Sequence, residues 1–107
     1  MIHVVYHRIY NKVTIEGHAL SGEPGHDLVC ASASILAYTL ANTVENMSKA
    51  YQCKDKQIIL DTGNALITCR PVSRYVNIAT LLFDTLCAGF ELLALNYPEN
   101  ISYEVRG

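Results

Sequence analysis

The stretch Val13-Thr14-Ile15-Glu16-Gly17-His18-Ala19-Leu20-Ser21-Gly22-Glu23-Pro24-Gly25-His26-Asp27-Leu28-Val29-Cys30-Ala31 changes its period part-way along. Val13, Ile15 and Gly17 alternate with Thr14, Glu16 and His18, which is the two-residue repeat of a strand. Gly22, Pro24 and Gly25 then punctuate a loop from Leu20 to Gly25. Beyond it Val29, Ala33, Leu36, Leu40, Val44 and Met47 recur at helical spacing. This predicts a helix from about Asp27 to about Tyr51 with those residues as its core stripe. Asp27 suits the N-cap, because its carboxylate accepts from the orphan amides of a first turn. Cys30, Ser34, Ala37 and Ala41 form an adjacent stripe of small residues that lets another element come close.

Outward from this stretch the same reasoning assigns the rest of the chain. Ile2 to Tyr10 is rich in β-branched and aromatic residues and reads as a strand, with Asn11-Lys12 as the break before the next. Gln57 to Asp61 and Ala65 to Arg70 read as two more strands, with Thr62-Gly63-Asn64 turning between them. A second helix is expected to begin at Ser73 or Asn77, carried by Ala79, Leu82, Phe83, Leu86, Phe90 and Leu93 and weakened at Gly89. Pro98 ends it, and Ile101, Tyr103 and Val105 alternate as a closing strand. The order strand, strand, helix, strand, strand, helix, strand predicts an α+β fold: a mainly antiparallel sheet with two long helices packed on it. One domain is expected over residues 1–107, with no linker and no residue-level repeat.

Half of the chain is hydrophobic, enough to build a core without disulfides or metal, and the formal net charge is −2. No run of Lys or Arg stands out, which argues against direct nucleic-acid binding. The N-terminus Met1-Ile2-His3-Val4-Val5-Tyr6-His7-Arg8 meets charge too early for an apolar signal core. No apolar run reads as long enough to span a membrane. A cytoplasmic protein with no membrane partner is therefore expected. Cys30, Cys53, Cys69 and Cys87 form no Cys-x-x-Cys pair, so free thiols are expected.

His18 and Cys30 concentrate the reactive groups. Near the start of a helix a thiol meets the positive end of the macrodipole, which favours the nucleophilic thiolate. Amides there can also receive the oxyanion of an acyl-transfer intermediate. His18 can take the Cys30 proton and return it to a leaving amine. Asp27 either caps the helix or orients His18. Ser34, one turn beyond Cys30, either donates into the site or bonds back to a helix carbonyl. The bland alternatives are a buried structural thiol and a hydrogen-bonded surface imidazole. His26, beside the cap, competes with His18 as a base.

The run from Gly17 to Ser34 resembles the signature of the ribosomal-processing cysteine protease family Prp. The family pattern is Gly-His-Ala, a short Gly-containing loop, Gly-x-Asp, an aliphatic pair, Cys-Ala, and a Ser four residues after the Cys. Here these are Gly17-His18-Ala19, Gly25-His26-Asp27, Leu28-Val29, Cys30-Ala31 and Ser34, with matching spacing. The resemblance implies a small homodimeric α+β cysteine endopeptidase that removes the N-terminal extension of large-subunit ribosomal protein bL27. It implies Cys30 as nucleophile and His18 as base, with Gly17, Gly25, Asp27 and Ser34 in supporting or substrate-binding positions. No cofactor and no metal are implied. The Leu20 to Gly25 loop is the candidate to move on substrate binding.

Three other readings compete. Asp61-Thr62-Gly63 matches the aspartic-protease tripeptide, but two long helices argue against that nearly all-β fold, and a plain turn is favoured. His18, His26 and Cys30 are ligand types that suit zinc, at a spacing that fits no common pattern. A non-catalytic ribosome-associated assembly or binding module is the third.

Overall fold

The computed structural model describes residues 1–18 and 24–107, and it leaves the side chains of 24–27 undescribed. The elements are β1 (Ile2–His7), β2 (Lys12–Glu16), α1 (Pro24–Lys49), β3 (Cys53–Asp61), β4 (Asn64–Pro71), α2 (Val76–Asn96) and β5 (Ile101–Arg106). The strands form one sheet in the order β3-β4-β2-β1-β5. Three of its pairings are antiparallel, and β1 with β5 is parallel. The expected α+β architecture, mainly antiparallel with two long helices, is the one observed.

Alternation decides which face the helices cover. Ile2, Val4 and Tyr6 of β1 are buried, as are Val13 of β2, Ile67 and Cys69 of β4, and Ile101 of β5. Register places them side by side: Tyr6 opposite Val13, Val13 opposite Ile67, Ile2 opposite Ile101. Onto this face α1 lays Val29, Ala33, Leu40, Val44 and Met47, and α2 lays Ala79, Phe83, Cys87 and Phe90. Each fully buried large side chain contributes roughly 1.5–3 kcal/mol relative to exposure. The Phe83 ring stacks on Tyr6 with centroids 6.2 Å apart. Gly89, expected only to weaken its helix, has a packing role. A Cβ there would lie 2.6 Å from Leu36 Cδ2, so the glycine lets α1 and α2 meet closely.

Four local expectations are corrected. The first strand ends at His7 rather than Tyr10, because Arg8–Tyr10 wind into a 3-10 turn. Asn11 closes that turn at φ 46°, a left-handed conformation that Asn tolerates. Ile9 and Tyr10, exposed, have no sheet packing to hold them extended. Helix α1 starts at Pro24, whose fixed φ and missing N–H suit the first helical position, so Pro24 and Gly25 leave the expected loop. Asp27 is then inside the first turn and does not occupy the N-cap. The rest of the expected loop, Leu20 to Glu23, lies outside the described residues. Finally, Leu28–Lys49 and Ser73–Asn96 are each long and apolar enough to cross a bilayer by length and composition, contrary to the sequence expectation. Here their inner faces supply the core.

A polar clamp joins the end of β1 to α2. The Tyr6 hydroxyl donates to Asp84 Oδ1 at 2.7 Å, and Arg8 donates from Nε and a terminal nitrogen to the two carboxylate oxygens at 3.0 Å each. The Arg8 guanidinium holds the Asp84 carboxyl below the usual range, against a smaller opposing effect of burial. Asp84→Ala is expected to destabilise the fold by about 1–3 kcal/mol, because the Tyr6 hydroxyl loses its acceptor. A carboxyl depressed in the folded state stabilises above its unfolded pKa, and that stability is lost as pH falls through the folded value. The difference in denaturation midpoint between wild type and variant should therefore narrow as pH drops below the ordinary carboxyl range.

Candidate active site

Cys30 is the seventh residue of α1, in its second turn, half-buried. Ser34 and Tyr38 follow at four-residue intervals on the same face, with Ala33 and Ala37 beside them. These five line one flank of a cleft of about 290 Å³. The opposite wall is Gly17, His18 and the β3–β4 turn from Leu60 to Asn64, and Ile2, Ile15 and Ala65 complete the lining. The cleft lies where the α1 helix passes over the end of the sheet.

Close backbone approaches seat His18. Beyond β2 the chain turns at Gly17, φ +96°, whose amide donates to the Gly63 carbonyl at 3.0 Å. A Cβ on Gly17 would collide with the Met1 carbonyl oxygen. The Met1 ammonium donates to the His18 carbonyl at 2.8 Å. Gly63 has φ +75°, and a Cβ there would collide with His18 Nε2 and lie 2.6 Å from Cε1. The imidazole therefore rests against the backbone of the turn, in space that only glycine leaves open.

His18, Cys30, Gly17 and Ser34, singled out from sequence, thus share one cleft. Gly25 and Asp27 fall in the first turn of α1, the turn that leads to Cys30. Cys30 sits one turn deeper than the cap reading placed it, and the macrodipole effect falls off within the first turn. The Asp27 and His26 side chains lie outside those described, as does any metal site that would use His26. Among the described residues no group of three or more His, Cys, Asp or Glu is placed to hold a metal ion. Asp61-Thr62-Gly63 does form the turn between β3 and β4, on a fold that is not all-β. What sequence reasoning missed is that this turn is a wall of the cleft and the seat of His18. Its signal was the Asp-Thr-Gly itself, where glycine at the turn permits the positive φ.

The family model for cysteine protease Prp matches residues 1–102. The chain belongs to the Prp family of cysteine proteases. It is similar to the ribosomal processing cysteine protease Prp of Staphylococcus aureus, at 29% identity over 89 residues, covering 83% of this chain and 80% of that protein. Its fold matches SMU.848 from Streptococcus mutans, with TM-score 0.68, 27% identity, and 97% and 90% of the two chains covered. It also matches S. aureus Prp solved with a substrate peptide, with TM-score 0.71, 24% identity, and 98% and 97% covered. The Prp fold is therefore shared over nearly the whole chain, and the protein is a cysteine protease.

The other thiols differ from Cys30 in setting. Burial pushes Cys69 up to about 12, helped by its neighbour Cys53. Burial likewise pushes Cys87 up to about 12, partly offset by a hydrogen bond with Tyr103. Both are about 1% exposed, whereas Cys30 lines the cleft. Limited alkylation with iodoacetamide at neutral pH, followed by peptide mass mapping, should label Cys30 well before Cys69 and Cys87. Equal labelling of these three would contradict the described burial.

Proposed function

We propose that this chain is a cysteine endopeptidase in which Cys30 is the nucleophile and His18 the general base and acid, and that it removes the N-terminal extension of ribosomal protein bL27. The observation that carries the assignment is the shared cleft of His18 and Cys30, with His18 seated on Gly63. The substrate assignment is supported by the ribosomal-processing role in the S. aureus relative's name. It is also supported by that protein's structures with a substrate peptide and with a covalently linked product peptide.

In the proposed reaction the Cys30 sulfur, its proton taken by His18, attacks the scissile carbonyl carbon and forms a C–S bond. The carbonyl electrons collapse back as the C–N bond breaks, and His18 delivers its proton to the departing amine. Water then attacks the thioester, with His18 as base, releasing the new carboxylate and the Cys30 thiol. Gly17 and Gly63 act through His18 as positioning residues. Ser34 faces the cleft one turn from Cys30, within the region a bound peptide would occupy. Asp27 and Gly25 shape the turn of α1 before the nucleophile. Ile2, Ile15, Leu60 and Tyr38 give the cleft an apolar side suited to an apolar peptide side chain.

The test is cleavage of a peptide spanning the bL27 extension. Cys30→Ala should abolish turnover, and His18→Ala should lower kcat by about 10²–10⁴-fold. Gly63→Ala should lower kcat by about a hundred-fold with a smaller change in KM, because it displaces the imidazole. Undiminished cleavage by Cys30→Ala would refute the proposal.

The proposal includes a homodimer acting in the cytoplasm, without nucleic-acid or membrane contact. Ile78, Leu81, Leu92 and Leu95 of α2 are exposed, an apolar stripe that a second copy could cover. Light scattering coupled to size exclusion should give twice the chain mass, and Leu81→Glu with Leu95→Glu should return the monomer.

A further inference from the structure

Cys53 and Cys69 lie outside the cleft and have no part in the proposed reaction. Their sulfurs are 3.0 Å apart. Strand register explains how they meet. Cys53 lies opposite Pro71 and Lys56 opposite Cys69, so β3 spends one more residue than β4 between these two pairs. The extra residue makes an irregularity between Cys53 and Asp55. Pro71 has no amide hydrogen to give the ladder at that point. Residues two apart on facing strands are ordinarily diagonal neighbours well out of bonding range. Here the bulge draws the Cys53 side chain towards Cys69, on the face of the sheet that the helices cover. Both are free thiols, Cys53 half-buried and Cys69 fully buried.

We propose that Cys53 and Cys69 form a reversible redox site, closing to an intramolecular disulfide when the protein meets a peroxide. Sulfurs already in contact need to approach by only about 1 Å to reach the S–S bond length. The more accessible sulfur, Cys53, attacks the peroxide oxygen. The O–O bond breaks, water leaves, and Cys53 becomes a sulfenic acid. The Cys69 sulfur then attacks Cys53, forming S–S and breaking S–O, and a second water departs. Two thiols lose two electrons and two protons, and one peroxide becomes two waters. Thiol reductants reverse the step by exchange. Closure staples the base of the hairpin whose other end, the Asp61–Asn64 turn, seats His18. This inference does not rest on the protease assignment, so it is tested in a chain without the proposed nucleophile.

The full-length Cys30→Ala protein is treated with a small excess of hydrogen peroxide, then denatured, alkylated and weighed intact. The expected result is a mass lower by about 2 Da before alkylation, with two of the three remaining thiols blocked. Digestion should yield one peptide cross-linked between Cys53 and Cys69, released by dithiothreitol. Adding Cys53→Ser should abolish the cross-link and leave Cys69 and Cys87 alkylatable. Three outcomes would overturn the proposal: all three thiols still alkylatable, oxygen adducts on Cys53 with Cys69 free, or cross-links only between chains.

Discussion

The apolar face of the sheet must be covered, and both helices take their positions from that requirement. Val4, Tyr6, Val13, Ile67 and Ile101 present a continuous surface that no strand can hide. Helix α1 answers with a stripe of aliphatic and small side chains, and α2 with Phe83, Cys87 and Phe90. Because α1 is anchored by Val29 through Met47, its early turns pass over the ends of β2 and the β3–β4 hairpin. Cys30 and Ser34 sit on the same helix slightly around from that stripe. Core packing, which includes Cys30 itself at its margin, thereby turns them to a cleft at the sheet's end.

The site is built from three separated stretches: the exit of β2, the second turn of α1 and the turn between β3 and β4. What joins the first and third is a backbone hydrogen bond from Gly17 to Gly63 and the fit of the His18 imidazole against a residue with no Cβ. Such contacts leave little tolerance. A methyl group at either glycine meets both an unfavourable φ and an occupied space, so geometry at His18 is set by two residues that carry no chemistry themselves.

Much of this was legible in the sequence because it is local. Helical periods mark both helices, while alternation, β-branched composition and turn residues mark the five strands, and the Gly17 to Ser34 spacing points to the pair that shares the cleft. The misses were where local pattern is silent. Periodicity marked Ile101 to Val105 as a strand but says nothing of its partner, so the parallel pairing with β1 was not foreseen. An N-cap and a first-turn Asp look alike at Asp27, and Pro24 reads equally well as loop punctuation and as a first helical residue. The turn at Asp61 to Asn64 was identified as a turn, while its contact with His18 spans more than forty positions of chain. Cys53 and Cys69 looked scattered because a bulge, not their spacing, brings them together.

The parallel pairing of β1 and β5 has its own bearing on how the molecule comes into being. Ile2 to His7 is synthesised before every other strand of this sheet, yet one of its two hydrogen-bonding edges is matched only by Ile101 to Arg106. Until that last strand is made, β1 carries an open edge of unpaired amides and carbonyls beside an incompletely covered core. Contacts so distant along the chain are slow to form. Completion of the sheet is thus a late event, falling after the Cys30 helix and the His18 turn have already been made.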